Sequence, residues 1–361
     1  MKKTLSAILV LSLAIAMVFT GCAPAQAPAP TSSAPTPSTP ASSVSSSTKL
    51  VVYSGLSEDD MTALSTSYKE ATGNDMEYIV GNVGDLTARV EAEKANPQAD
   101  ILLGGSVDLY DPLGKNGDFE AYSSPENKAL DTRFNDPAGF WQGWYMGVLC
   151  ILYNPARFNE EIASKGIAAP KTWDDLLDAG YQDEFLMGDP STAGGARIFV
   201  ADQIFRLGET GAWDYLKALD KNVNYYTPGA ITNIDLIGKG EFIIGMSWAH
   251  DTYKAKAAGQ PIEIVIPPDT AYEIGGAAII KDAENMDNAK GFIDWILSKD
   301  CQELNTGLSY RYPVRTDVAA PDGLPSLSDV KLVDYDRAKA GSMMDTIKST
   351  FQSEITDKRA Q

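Results

Sequence analysis

KLVVYSGLSEDDMTALSTSYKEATGNDMEYIVGNVGDLTARVEAEKANPQADILLGGS, residues 49–106, holds the pattern that decides the fold. Short, continuous apolar runs at 49–53, 76–80 and 100–103 alternate with two longer amphipathic ones. Runs of that length without polar alternation are strands buried on both faces. Ser57 with Asp60 three residues on reads as a capping box, opening a helix through Ala71 that Gly73 stops. Residues 84–96 predict a second helix, with Leu86, Val90 and Ala92 as its apolar stripe. Such alternation predicts an α/β, doubly wound lobe with a mainly parallel sheet. Ligands of these sheets sit beyond the carboxyl ends of the strands, which puts Ser54 and Ser106 on one rim.

A second alternating block follows. WQGWYMGVLCILY (141–153) is longer than one simple strand needs and reads as a segment passing between two lobes. Strands are expected at 185–190, 223–226, 242–246 and 262–266, with a return strand to the first lobe at 277–280. Helices are expected from Ala156, over the PKTWDDL turn (170–176), from Ala196 and over 288–298. The 338–358 tail is helical by pattern and placed to brace both lobes.

Outward from this body, residues 1–21 have a basic start, an apolar middle and a small-residue end, the layout of a signal peptide. Cys22, directly after Gly21, resembles the lipobox cysteine of bacterial lipoproteins, which implies acylation and an anchor in a lipid bilayer. Residues 22–48 are almost wholly Ala, Pro, Ser and Thr and carry no charge, so they read as a solvated tether. The remaining stretch of roughly 310 residues suffices for two ordinary domains. With 49 acidic against 30 basic residues, bulk charge argues against nucleic acid as a partner. A small anion stays admissible, because local donors in a cleft outweigh a distant average field. Cys150 and Cys301 read as buried free thiols, with a disulfide between them as the alternative. No C-x-x-C pair is present and no cofactor is expected.

Eight phrases in order carry a resemblance: VVYSG (51–55), LTARVEAEKANPQADILLGGS (86–106), LYNP (152–155), PKTWDDLLD (170–178), GDPSTAGGA (188–196), IGKGEFIIGMSWAHD (237–251), AKGFIDWILSKDCQ (289–302) and YPVR (312–315). Together they resemble the extracytoplasmic solute-binding proteins of ABC importers, in the iron(III)/sugar-phosphate/phosphonate branch. The resemblance implies a type II periplasmic-binding-protein-like fold: two doubly wound lobes, joined by a hinge, that close on a ligand delivered to ABC permease subunits. It suggests residues 49–149 and 270–330 for the first lobe, 150–269 for the second and 331–361 for a helical C-terminal segment. The working unit is expected to be a monomer, hinged near Gly147 and Pro267-Pro268.

For the ligand, two readings stay open. Ferric-binding members use adjacent tyrosines at the end of the strand that here ends in Trp248-Ala249-His250-Asp251; the pair Tyr225-Tyr226 lies earlier, on a different strand. His250-Asp251 followed by Glu273 instead resembles hexose-phosphate-binding relatives, where these side chains grip hydroxyls. The chemistry fits: carboxylates accept from paired hydroxyls, and a neutral imidazole both donates and accepts. Ser191, Thr192, Ala193 and Gly194 at a helix start offer hydroxyls and N–H groups to a phosphate. Tyr226, Trp248 and Trp144 are candidates for the wall of the site. Asp251 could equally N-cap the helix through Lys256. A secreted hydrolase is the weakest reading, since His250 is the only histidine and no G-x-S-x-G phrase occurs; the chain reads as a binding protein, not an enzyme.

Overall fold

In the computed structural model, which describes residues 49–359, the apolar runs become one end of a continuous sheet. β1 (Leu50–Ser54) lies between β2 (Met76–Val80) and β3 (Ile101–Ser106), parallel to both. α1 (Glu58–Thr72) and α2 (Val83–Ala92) connect them. α1 ends at Gly73, whose φ of 78° is the left-handed geometry that favours glycine. The capping box of α1 forms by half: Ser57 Oγ accepts from Asp60 N at 3.2 Å, while the Asp60 carboxylate turns into the protein. α2 begins one residue earlier than the glycine signal suggested, because Asn82 caps it by accepting from Gly84 N.

The remaining elements build the second half and the return. In chain order they are α3 (Tyr110–Asn116), β4 (Phe119–Glu120), β5 (Gln142–Tyr153), the single turn α4 (Pro155–Arg157) and β6 (Phe185–Gly188). α5 (Gly194–Leu219), β7 (Val223–Thr227), α6 (Ala230–Gly238), β8 (Ile244–Trp248), α7 (Ala249–Ala257) and β9 (Glu263–Val265) follow. β10 (Tyr272–Ile280), α8 (Met286–Ile296), α9 (Lys299–Ser309), β11 (Tyr312–Pro313) and α10 (Arg337–Phe351) complete the chain. The strand order is β2-β1-β3-β10-β5-β8-β6-β7. β6 pairs in parallel with β7 and β8, but β5 and β10 run antiparallel to every neighbour they have. The sheet is therefore mixed rather than mainly parallel. The physical cause is the crossing: strands that carry the chain from one lobe to the other run against the strands they join.

β5 is that crossing. Its residues 142–148 pair with β10, and 149–153 with β8 and β9. Each side has its own core, one around Val52, Leu103, Trp144, Ile274 and Phe292, the other around Ile151, Phe185, Phe199, Ile244 and Phe351. Every fully buried Leu, Ile or Phe of this kind contributes about 1.5–3 kcal/mol. Three chain passages are stitched together where the cores meet. Leu149 N donates to Ala271 O at 3.1 Å, Thr270 Oγ1 to Leu149 O at 3.0 Å, and Val333 N to Thr270 O at 3.0 Å. The C-terminal segment reaches both halves. Ile347, Phe351 and Ile355 sit in the second core, while Arg337 bonds Asp108 and Asp111 and lies over the Trp141 ring at 4.8 Å.

Several local expectations change. The 170–176 phrase gives only a short 3-10 turn, Asp174–Leu177, because the Asp175 carboxylate accepts from Lys171 N and Thr172 N and folds the chain back. Cys150 and Cys301 are both buried and both free. Trp144 is fully buried in the first core, so it cannot wall a cleft. Residues 1–48, with the signal, the tether and Cys22, lie outside the described residues. Among the described residues no helix is long and apolar enough to cross a membrane.

Candidate functional site

The chain after β6 folds on its own carboxylate. Asp189 Oδ1 accepts from Ser191 N at 2.7 Å, and Asp189 O accepts from Thr192 N and Ala193 N at 3.0 and 2.7 Å. The backbone donors of Ser191, Thr192 and Ala193 are thus spent inside the loop. The donors left over belong to the first turn of α5, Gly194, Gly195 and Ala196, whose N–H groups have no carbonyl one turn behind them. Ala193 occupies the cap position without a side-chain oxygen to offer.

Two more helices begin at the same place in the same way. α6 starts after Gly229 and α7 after Trp248, and neither has a side-chain cap. A cavity of about 230 Å³ is lined by Gly188, Thr192 to Ala196, Pro228 to Ala230 and Met246 to Trp248. Three uncapped helix N-termini therefore open on one hollow. α5 brings the N–H groups of Gly194 to Ala196 and α6 that of Ala230, while α7 meets the hollow through its cap residue Trp248; free N–H groups and the positive ends of helix dipoles are the physical requirements of an anion site. Thr192 Oγ1 donates to Pro228 O at 3.3 Å, tying two of the loops together. Gly195 keeps the hollow open, since a Cβ there would lie 3.0 Å from Trp248 Nε1.

Trp248 joins this hollow to the next group. Its ring stacks on His250 with centroids 6.0 Å apart and an interplanar angle of 21°. His250 and Asp251 belong to the first turn of α7 rather than to a strand edge. His250 is 3% exposed, its Nδ1 has no partner, and its Nε2 lies 3.5 Å from Asp251 Oδ1. Burial holds its pKa down at about 4, so the ring is neutral near pH 7. Glu273 stands opposite Gly147 in the β5–β10 ladder. Gly147 is the spacer here: a Cβ would meet His250 Cε1 at 2.8 Å and Glu273 Cγ at 3.3 Å. Burial raises the Glu273 pKa to about 7, with Asp251 and Asp108 adding to it and Arg311 opposing.

Of the residues expected from sequence, the structure thus puts Thr192, Ala193, Gly194 and Trp248 on the lining of the hollow, stacks His250 on Trp248 with Asp251 beside it, and sets Glu273 next to His250 across Gly147. Ser191 is half-buried beside them. Ser106 faces Gly194 across a second cavity of about 290 Å³, which also receives Arg197 and Lys348. Ser54 is fully buried, and its Oγ accepts from Leu56 N, so its hydroxyl serves the turn after β1. Tyr226 departs from expectation. It donates to Asp220 Oδ1 at 2.6 Å, packs edge-on against Phe351 and lies under Arg359, held by the C-terminal segment away from the hollow.

Sequence reading missed Pro228-Gly229-Ala230, whose only signal was a Pro-Gly turn before a helix. It also missed Asp60 and Arg311. Asp60 is 3% exposed and accepts from Arg311 Nη1 at 3.1 Å and from Lys254 Nζ at 2.9 Å. Those two cations lower its pKa against the desolvation that raises it.

Comparison with known proteins places this architecture. Residues 96–340 match the family model described as bacterial extracellular solute-binding protein. An uncharacterised protein of Haemophilus influenzae is 36% identical over 81% of this chain and 86% of its own length. The periplasmic binding protein AfuA of Actinobacillus pleuropneumoniae, solved with fructose-6-phosphate bound, superposes with a TM-score of 0.77 and 32% identity, covering 85% of this chain and 98% of its own. Iron-bound HitA of Pseudomonas aeruginosa shares the fold, with a TM-score of 0.74 at 20% identity over 83% of this chain and 98% of its own. The chain belongs to the bacterial extracellular solute-binding proteins that serve ABC importers, in the branch whose members take iron(III), sugar phosphates or phosphonates.

Proposed function

We propose that the protein captures a phosphorylated sugar between its lobes and hands it to an ABC permease. The observation that carries this reading is the convergence of three uncapped helix N-termini on one cavity, continuous through Trp248 with a cluster of unpaired polar side chains. A phosphate is the anion such a hollow suits, because its oxygens accept from many N–H groups at once. Beyond Trp248, the neutral His250 and the carboxylates of Asp251 and Glu273 suit hydroxyls that donate to them. The related AfuA, with its fructose-6-phosphate, supports the same class of ligand. The iron(III) alternative draws no support from the tyrosine pair, since Tyr226 is committed to Asp220 and Tyr225 packs on Phe242. In this reading the protein binds without turnover, works as a monomer and is held to the membrane through acylated Cys22.

Closure would exclude water and strengthen each hydrogen bond to the phosphate and the carboxylates. Isothermal calorimetry of the mature protein against hexose 6-phosphates and ferric iron tests the proposal. Binding of a hexose phosphate at micromolar or lower Kd is expected; tight iron binding without any sugar-phosphate binding overturns it.

A further inference from the structure

The group least explained by a phosphate and a set of sugar hydroxyls is a buried guanidinium. Arg311 sits between α9 and β11, with a side chain only 11% exposed. Its guanidinium carbon lies over the Tyr145 ring, 4.8 Å from the centroid, and it donates once, through Nη1, to Asp60. Tyr145 is itself fixed, accepting from Gly105 N at 3.2 Å. Nε is buried and has no acceptor. Nη2 likewise makes no hydrogen bond to the described residues. A guanidinium has five N–H groups, so most of its donor capacity is unspent.

Acceptors stand nearby without being reached. Glu273 and Asp251 both interact electrostatically with Arg311, yet neither bonds it. At low dielectric, an Arg and two carboxylates that can pair do so, unless the fold holds them apart. Here the fold does so. Asp60 pins the guanidinium from α1, Gly147 sets the spacing of Glu273, and the start of α7 fixes Asp251. The pin is itself tied from the other side, since Lys254 on α7 bonds Asp60 Oδ1. Donors on one side and acceptors on the other, held at a distance, match a molecule that presents both.

We infer that Arg311 contacts the ligand, donating to an oxygen of its non-phosphate end while Asp251 and Glu273 accept from neighbouring hydroxyls. The inference rests on the sugar-phosphate reading and sharpens it. The end remote from the phosphate is polyhydroxylated, because it must accept from Arg311 while it donates to Asp251 and Glu273; a hydroxyl does both, whereas an ammonium can donate to the carboxylates but has no lone pair to accept from the guanidinium. Asp60 is a positioning residue: it aims Arg311 and does not itself touch ligand.

The test is calorimetry with three probes, a hexose 6-phosphate, inorganic phosphate and an aminoalkylphosphonate, on wild type, Arg311→Lys and Asp60→Asn. Arg311→Lys keeps the charge beside Asp60 but loses the planar fork. It is expected to weaken the hexose phosphate at least 30-fold and to leave inorganic phosphate within about twofold of wild type. Asp60→Asn is expected to weaken the hexose phosphate by a smaller factor in the same selective way. Unchanged hexose-phosphate affinity in Arg311→Lys overturns the assignment while leaving the sugar-phosphate reading intact. Should the variants fail to fold, wild type alone decides, because it is expected to bind the aminoalkylphosphonate at least 100-fold more weakly than the hexose phosphate. Equal binding of the two refutes the inference. A wild type that binds no hexose phosphate sinks the underlying reading and the Arg311 assignment with it.

Discussion

The two ends of the cleft solve different problems with different materials. The end proposed for the anion is made largely of backbone at three helix starts, lined by four glycines and three alanines, with no charged side chain among its lining residues. The end proposed for the polyol is made of side chains, His250 and Asp251 from α7, Glu273 from β10 and Arg311 from the turn before β11, held apart by Gly147 and Asp60. Backbone dipoles are fixed by the fold and cost nothing to orient, so the first end is insensitive to most side-chain changes but intolerant of added bulk. Ionisable side chains carry pKa values that the surroundings move, so the second end is sensitive to pH and to single substitutions.

The sharpest way to break this contrast is to fill the first end. Gly195→Val places two methyl groups where a single Cβ already lies 3.0 Å from Trp248 Nε1. Affinity for a phosphorylated sugar and for inorganic phosphate is expected to fall together, by more than about 100-fold on the scale of several lost charge-assisted hydrogen bonds. Calorimetry on a variant with a native circular dichroism spectrum reads this. Retained phosphate binding would move the anion elsewhere.

At the other end the loss is selective. Asp251→Asn and Glu273→Gln each remove one charged acceptor, and a hydrogen bond to a charged group contributes about 1.5–3 kcal/mol. Sugar-phosphate affinity is expected to drop roughly 10- to 100-fold per substitution, with inorganic phosphate unaffected. A parallel loss of both ligands would mean that the two ends are not independent.

Legibility in the sequence follows the same division. Alternating runs revealed the α/β lobes, and the Gly194-Gly195 phrase revealed a helix start, because both are local patterns. Strand direction was not local: β5 and β10 run antiparallel because they carry the chain between lobes, which no run of apolar residues reports. Gly229 and Trp248 gave no sign of meeting Ala193, since only the tertiary fold sets three helix starts on one hollow. Asp60 was read as half of a capping box, and its spacing fits one, but a buried guanidinium won its carboxylate. Tyr226 lies on the expected strand, yet the C-terminal segment from the far end of the sequence claims its face.

Acid should weaken binding through Glu273. Its pKa of about 7 in the free protein falls when hydroxyls donate to the ionised carboxylate, so binding releases a proton. Affinity is expected to decline as pH drops below about 7, by at most about tenfold per unit from one site. His250, with a pKa of about 4, stays neutral through this window and adds nothing. A phosphate monoester titrates near pH 6 on its own, so the control is Glu273→Gln, in which the component centred near 7 should vanish. A profile identical in wild type and variant would show that the ligand alone is titrating.

The smallest effect concerns stability without ligand. A carboxyl whose pKa is raised on folding, as Glu273 is from 4.5 to about 7, holds its proton better in the folded state. Its contribution is present below pH 4.5 and is lost as pH rises through 7, above which the ionised group is a net cost. Glu273→Gln removes that cost and keeps the shape. The free protein's Tm is therefore expected to rise by about 1–2 °C at pH 8 and to change little at pH 4.5, the partial exposure of the carboxylate keeping the gain small. The opposite pattern, a gain at pH 4.5 and none at pH 8, would mean that Glu273 already has an ion partner in the unliganded cleft, and the division between a backbone end and a poised side-chain end would no longer hold.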